Sequence, residues 1–286
     1  MAFSLILVQL EILSKIRHPH LLLLLGACPE RGSLVYEYMH NGSLEERLMK
    51  RRPNVDTPQP PPLRWFERFR IAWEIASALY FLHTNEPRPI VHRDLKPANI
   101  LLDRNNVSKI GDVGLSKMVN LDPSHASTVF NETGPVGTFF YIDPEYQRTG
   151  VVTPESDIYA FGIILLQLVT ARSAMGLAHS IEKALRDQTG KFTEILDKTA
   201  GDWPVKEAKE MVMIGLRCAE MRKRDRPDLG KEILPVLERL KEVASIARNM
   251  FADNLIDHHH NAPTHFYCPI TKVMNDTKIL HFMSDF

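Results

Sequence analysis

The sequence predicts an α+β fold, poor in strands at its front and helical over most of its length, and three observations predict it. Two short apolar runs, residues 21–25 and 34–39, flank the turn-forming Pro29-Glu30-Arg31-Gly32, the pattern of paired strands. Between residues 65 and 83, Trp65, Phe69, Ala72, Ile75, Ala76, Leu79 and Leu82 recur on one helical face. Residues 159–169 are apolar nearly all round, which marks a helix buried at the centre of a helical body.

Composition narrows the functional class before any motif is read. The chain has 286 residues, 44% apolar and 24% charged, enough for one to two domains with a core. Lysine plus arginine equals aspartate plus glutamate at 35 each, so no overall field favours nucleic acid or an anionic membrane. The basic runs Lys50-Arg51-Arg52 and Arg222-Lys223-Arg224 read as solvated faces or helix ends. Cys28, Cys218 and Cys268 lie far apart without C-x-x-C spacing, which indicates neither a disulfide framework nor a zinc site and fits a reducing compartment. Residues 1–8 lack a basic n-region, and nothing approaches the ~20 apolar residues of a membrane span. An intracellular, cytoplasmic protein with no membrane span and no nucleic-acid partner is expected.

The elements follow in order. Residues 11–20 form a short helix with a Glu11–Lys15 pair at i,i+4, stopped at Pro19. After the two strands, Asn41-Gly42-Ser43 can cap a helix from Leu44, and residues 53–62 are a polar, proline-rich connection. The helix at 65–83 then delivers the chain to Val91-His92-Arg93-Asp94-Leu95-Lys96-Pro97-Ala98-Asn99-Ile100-Leu101-Leu102-Asp103. Ile90-Val91 and Leu101-Leu102 read as short strands, so Asp94, Lys96 and Asn99 sit on the turn between them, aimed at one point. In-line phosphoryl transfer asks for such a set: a carboxylate to receive a hydroxyl proton, a cation to spread charge, and oxygen ligands for magnesium.

This stretch resembles the catalytic loop of the protein kinases, H-R-D-L-x-x-x-N, and Lys96 is the variant found in Ser/Thr kinases. Asp112-Val113-Gly114 resembles the family's D-F-G with Val in place of Phe. The resemblance implies a protein-kinase-like fold, mostly the helical C-lobe, that moves the γ-phosphate of ATP to hydroxyls of protein substrates. It makes Asp94 the base, Lys96 the γ-phosphate contact, Asn99 and Asp112 the Mg2+ ligands, and Gly114 the turn that follows. Residues 11–20 resemble the end of the family's helix C, and the two strands its fourth and fifth. Tyr36 is then the gatekeeper, and residues 37–39, with Glu37 and Met39 as candidate ATP contacts, the hinge that meets adenine. On side chains alone, core packing is the simpler reading of Tyr36 and Met39; the hinge assignment rests on position. The helix at 65–83 resembles helix E of plant receptor-like kinases and their animal relatives.

Between Asp112 and Asp143-Pro144-Glu145 the chain resembles an activation segment ending in a variant A-P-E. Arg93 would grip a phosphate there, with Ser124, Ser127, Thr128 or Thr133 as the switch; a flexible Ser/Thr-rich loop is the alternative for each. Thr138, after Gly137, matches the G-T of the family's P+1 loop, whose hydroxyl contacts the base and the lysine. Asp157, within residues 156–162, matches the start of helix F, where it holds the catalytic-loop backbone from below. Arg226 matches a late arginine that pairs with Glu145, and His92 is structural in the same way. Ile233, Leu234, Leu237, Leu240, Val243 and Ala247 give a last amphipathic helix.

The run Asp257-His258-His259-His260-Asn261 reads as linker, since adjacent histidines do not share a helical face for a metal. Beyond it, residues 263–270 with Val273-Met274-Asn275-Asp276 resemble the opening of a U-box, the zinc-free module through which ubiquitin ligases bind E2 enzymes. Some plant cytoplasmic receptor-like kinases carry one after the kinase domain. The organisation implied is a protein kinase domain over 9–247 lacking the first three strands, a linker over 248–262, and an incomplete U-box over 263–286. Cys268 to Met274 is one residue short, Thr277 replaces a proline, and so small a piece cannot bury enough surface to fold alone. An E2 partner is therefore expected only of a longer form. The front departs too: no G-x-G-x-x-G and no V-A-I-K occur, and the helix C glutamate position falls on Gln9, so ATP and Mg2+ binding should be weakened. A truncated kinase is expected. Three readings stay open: an active Ser/Thr kinase linked to ubiquitin ligase activity, a catalytically impaired pseudokinase or scaffold, and a ligase regulated by a kinase-like domain.

Overall fold

The computed structural model describes residues 16–28, 33–49, 60–112, 117–118, 138–186 and 192–259. The expected helix before Pro19, most of the proline-rich connection, Gly114, Ser124, Ser127, Thr128, Thr133 and the U-box-like segment lie outside the described residues.

The front of the chain pairs as two strands, but later than the apolar run suggests. Strand β1 (Leu24–Cys28) runs antiparallel to β2 (Ser33–Tyr36). Residues 21–23 are excluded from β1 because other partners hold them. Leu21 bridges Ile110 in parallel, Leu22 N–H donates to the Ile110 carbonyl at 2.9 Å, and the Leu23 carbonyl accepts Glu37 N–H at 3.0 Å. Helix α1 (Leu44–Met49) starts where Ser43 and Glu46 cap each other: Ser43 Oγ accepts Glu46 N–H at 3.2 Å, and Glu46 Oε2 accepts Ser43 N–H at 3.0 Å.

Helix α2 (Trp65–His83) has the bounds its periodicity predicts, and Phe69, Ala72, Ile75, Ala76, Leu79 and Leu82 are fully buried. Each large side chain among them contributes about 1.5–3 kcal/mol of apolar burial. The chain then forms β3 (Ile90–Val91), a 3-10 turn (Pro97–Asn99), β4 (Ile100–Leu102) and β5 (Ser108–Ile110). Antiparallel β4 and β5 make one small sheet; β3 pairs with β6 (Lys117–Met118) in another.

The remainder is helical: α3 (Pro144–Thr149), α4 (Pro154–Thr170), α5 (Leu177–Arg186), α6 (Phe192–Ile195), α7 (Val205–Cys218) and α8 (Leu234–His259). Helix α4, apolar nearly all round over residues 159–169, lies at the centre, with Phe161, Ile164, Leu165, Leu166, Leu168 and Val169 fully buried. It touches α7 backbone to backbone: a Cβ on Gly162 would lie 2.7 Å from both Cys218 Cβ and the Gly215 carbonyl, so only glycine fits. No helix among the described residues is long and apolar enough to cross a membrane.

One expectation is corrected here. Arg226 does not pair with Glu145. Its Nη2 donates to Asp143 Oδ1 at 2.5 Å, the two side chains being 0% and 2% exposed, while Glu145 Oε2 accepts the Lys223 N–H at 2.7 Å. Asp143 caps α3, and the cap turns its carboxylate inward onto Glu145 N–H (2.9 Å) and Ser156 Oγ (3.1 Å). Arg226 therefore meets Asp143 first. The stretch expected as linker from residue 248 is helical to His259. No Pro or Gly interrupts it after Pro235, and Phe251 is held to the body by the Phe66 ring (5.9 Å) and the Arg64 guanidinium (5.4 Å).

Candidate active site

The turn between β3 and β4 carries the site, and two supports hold it. From below, buried Asp157 on α4 accepts the N–H groups of His92 (2.8 Å, Oδ2) and Arg93 (2.9 Å, Oδ1). Arg93 takes a left-handed φ of 73° at this point. His83, at the end of α2, joins Asp157 Oδ2 through Nε2 at 2.8 Å. Burial pushes the Asp157 carboxyl upward, but the His83 bond and charge, His92 and the Arg93 N–H outweigh it and leave it below the usual aspartate value. From the side, His92 Nε2 donates to the Gly111 carbonyl at 2.9 Å, which leaves Nδ1 to accept Asp94 N–H at 3.3 Å. His92 thus ties the loop to the residue before Asp112.

The structure brings Asp94, Lys96, Asn99 and Thr138 together around one carboxylate. Asp94 Oδ2 accepts Lys96 Nζ at 2.7 Å and Asn99 Nδ2 at 3.1 Å; Oδ1 accepts the Thr138 N–H and hydroxyl, each at 3.0 Å. Lys96 Nζ also donates to Thr138 Oγ1 at 2.8 Å, and Asn99 Nδ2 to the Asp94 carbonyl at 2.8 Å. With four donors the carboxylate is saturated. Because one is an O–H, the site has the geometry for a hydroxyl to reach Asp94.

Asp112 is exposed and left-handed, φ 52°, a conformation Asp tolerates better than most residues. The Gly111 N–H donates to the Asn99 carbonyl at 2.7 Å, so the chain leading to Asp112 is fixed against the turn that carries Asn99. Burial, with the charge of Asp112 adding to it, pushes the Tyr36 phenol up to about 12. No group of three or more His, Cys, Asp or Glu among the described residues could hold a metal. Mg2+ needs none, since one or two protein oxygens with substrate phosphates suffice, and the Asn99 amide and the Asp112 carboxylate fit that donor set.

At residues 37–39, the expected hinge, the side chains are already engaged. Glu37 accepts Leu23 N–H at 2.8 Å on Oε1 and Lys109 Nζ at 2.7 and 2.8 Å on its two oxygens. Met39 is buried, and Tyr36 packs against the core. Arg93 Nη2 donates to the Tyr146 hydroxyl at 3.2 Å. Sequence reasoning missed His83 and Lys109. His83 ends a recognised helix only nine positions before His92, and that proximity was the available signal; Lys109 gave none.

The comparisons with known proteins agree with this geometry. A family model of protein tyrosine and serine/threonine kinases matches residues 3–236. The chain belongs to the protein kinase family. It is 58% identical over 269 residues to U-box domain-containing protein 52 of Arabidopsis thaliana, covering 94% of this chain and 30% of that protein. It is 59% identical over 270 residues to U-box domain-containing protein 35 of the same plant (94% and 31%), and 40% identical over 272 residues to U-box domain-containing protein 70 of Oryza sativa subsp. japonica (95% and 32%). The chain spans about a third of the length of these relatives.

Proposed function

We propose that the chain is a Ser/Thr protein kinase domain that transfers the γ-phosphate of ATP to protein hydroxyls, working within a longer protein linked to ubiquitin ligation. The observation that carries the reading is the Asp94 carboxylate, held by Lys96, Asn99 and Thr138 at 2.7–3.1 Å. Asp94 receives the substrate hydroxyl proton, Thr138 and Asn99 keep the carboxylate aimed, and Lys96 meets the transferring phosphate. Asn99 and Asp112 would hold Mg2+, which supplies charge neutralisation on the phosphates when bound. The backbone of Glu37 and Met39 offers the hinge for the base. Arg93 receives a phosphate on Ser124, Ser127, Thr128 or Thr133 in this reading, which rests on its position in the loop next to Asp94. The ligase link rests on the relatives' printed names and on residues 263–286. An E2 partner and a cytoplasmic site of action belong to that longer protein.

A second reading has its own support. No G-x-G-x-x-G and no V-A-I-K occur in these 286 residues, so the chain by itself is a weak ATP binder or a scaffold that docks partners. A thermal-shift titration with Mg-ATP separates the two. Ligand at a hundred times Kd stabilises by about 2.7 kcal/mol, a shift of several degrees. No shift at millimolar Mg-ATP selects the scaffold; a shift, with autophosphorylation that Asp94→Asn abolishes, selects the kinase.

A further inference from the structure

We infer that Lys109 is a positioning residue which fixes the spacing between the adenine-facing hinge and the metal-binding end of the site; the inference rests on the kinase reading above. Three chain segments lie side by side here. On one side of residues 20–23, Ile110 N–H donates to the His20 carbonyl and Leu22 N–H to the Ile110 carbonyl, both at 2.9 Å. On the other side, Glu37 N–H donates to the Leu23 carbonyl at 3.0 Å. The hinge and β5 therefore flank one shared segment, and a single side-chain pair crosses it: Lys109 Nζ contacts both Glu37 oxygens, at 2.7 and 2.8 Å.

Each end of this bridge leads directly to the proposed nucleotide site. At the hinge end, Glu37 Oε1 also accepts Leu23 N–H at 2.8 Å, so the backbone and side chain of Glu37 grip Leu23 together. At the other end, Lys109 pairs with Leu101 across β4 and β5, and Ile110 and Gly111 connect it to Asp112. The Gly111 N–H bond to the Asn99 carbonyl places the second metal ligand on the same support. Lys109 is 19% exposed and Glu37 26%, so solvent screens the pair only in part. On the kinase reading one purine nucleoside triphosphate with its divalent cation must meet both ends at once, and the bridge ties the two ends to one segment.

The test compares the 286-residue chain with Lys109→Met and Lys109→Arg, by calorimetric titration with Mg-ATP and by amide hydrogen exchange. Lys109→Met should weaken Mg-ATP binding about fivefold and speed exchange at Leu23 N–H, whose acceptor is Glu37. Lys109→Arg, which keeps a cation able to reach the carboxylate, should restore both. A purely structural pair would lower Tm in Lys109→Met and leave exchange at Leu23 and affinity below Tm unchanged; that result overturns the inference. If the unsubstituted chain binds no Mg-ATP, the kinase reading fails, and exchange at Leu23 alone decides: unchanged in Lys109→Met, it overturns the clamp as well.

Discussion

Asp94 and Asp157 lie on opposite sides of one loop, and their partners separate the proposed reacting acid from a framework acid. Both are buried, at 6% and 1% exposure, and both accept several hydrogen bonds. Asp157 is bound by two backbone N–H groups and by a histidine at the end of a buried helix, none of which can leave without the fold changing. Asp94 is bound largely by side chains, including a lysine 24% exposed and a threonine 44 positions away in the chain. On the proposed kinase reading those are exchanged for a substrate hydroxyl or a phosphate. Burial alone would not distinguish the two; the replaceability of the donors does.

The largest effect should follow from removing the framework acid. Asp157→Ala leaves two buried N–H donors and His83 without an acceptor, and should cost about 3–5 kcal/mol in a urea titration. A loss under about 1 kcal/mol would break the comparison, because Asp157 would then be no more essential to the fold than an exposed residue. Arg226→Met tests the same idea at a second buried pair. It strands Asp143, 2% exposed, against an apolar chain and should cost about 3 kcal/mol. Glu145→Gln should cost less than about 1 kcal/mol, since its Lys223 contact survives the change. Equal losses would return Arg226 to Glu145.

A smaller effect should appear in acid. The Asp157 carboxyl lies below its ordinary value of 3.8 in the folded chain: burial raises it, but the His83 bond and charge, His92 and the Arg93 N–H lower it further. The unfolded chain therefore takes the proton first. The stability Asp157 contributes is fully present above the ordinary value and is lost as pH falls through the folded one. Urea midpoints of the native chain and Asp157→Asn should differ most near neutrality and converge below about pH 4. A difference that grows in acid would reverse the sign and place the folded value above the ordinary one.

The same contrast explains what was legible in the sequence. Asp94, Lys96 and Asn99 lie within six positions, so local spacing alone fixes their convergence, and α2 and α4 declare themselves by periodicity. Partners far apart in the chain were less legible. Asp143 and Glu145 are both acids near Arg226, and which one turns inward depends on the cap at α3, a feature of the backbone rather than of composition. The Lys109–Glu37 pair joins residues 72 positions apart with no pattern to announce it. Helix α7 was readable and missed: Ala208, Met211, Val212, Gly215 and Cys218 recur at helical spacing and are all buried. The length of α8 is less legible, because the helix runs on to His259 with no Pro or Gly after Pro235 while the histidine run suggests a linker.

The smallest stability effect should come from the reacting acid, and it sharpens the comparison most. Asp94→Asn keeps the side-chain shape and one acceptor oxygen, so the Thr138 contacts can persist on Oδ1. The other oxygen becomes an NH2 facing Lys96 and the Asn99 amide, but Lys96 is 24% exposed and can turn its ammonium to water. The cost should stay within about 1 kcal/mol, while phosphate transfer is lost because an amide cannot accept the hydroxyl proton. Asp157→Asn, measured beside it, should cost about 2 kcal/mol or more, since an amide cannot accept two buried N–H bonds and the histidine bond at once. If Asp94→Asn proves the more destabilising of the two, Asp94 is a framework residue, and the base must be sought elsewhere.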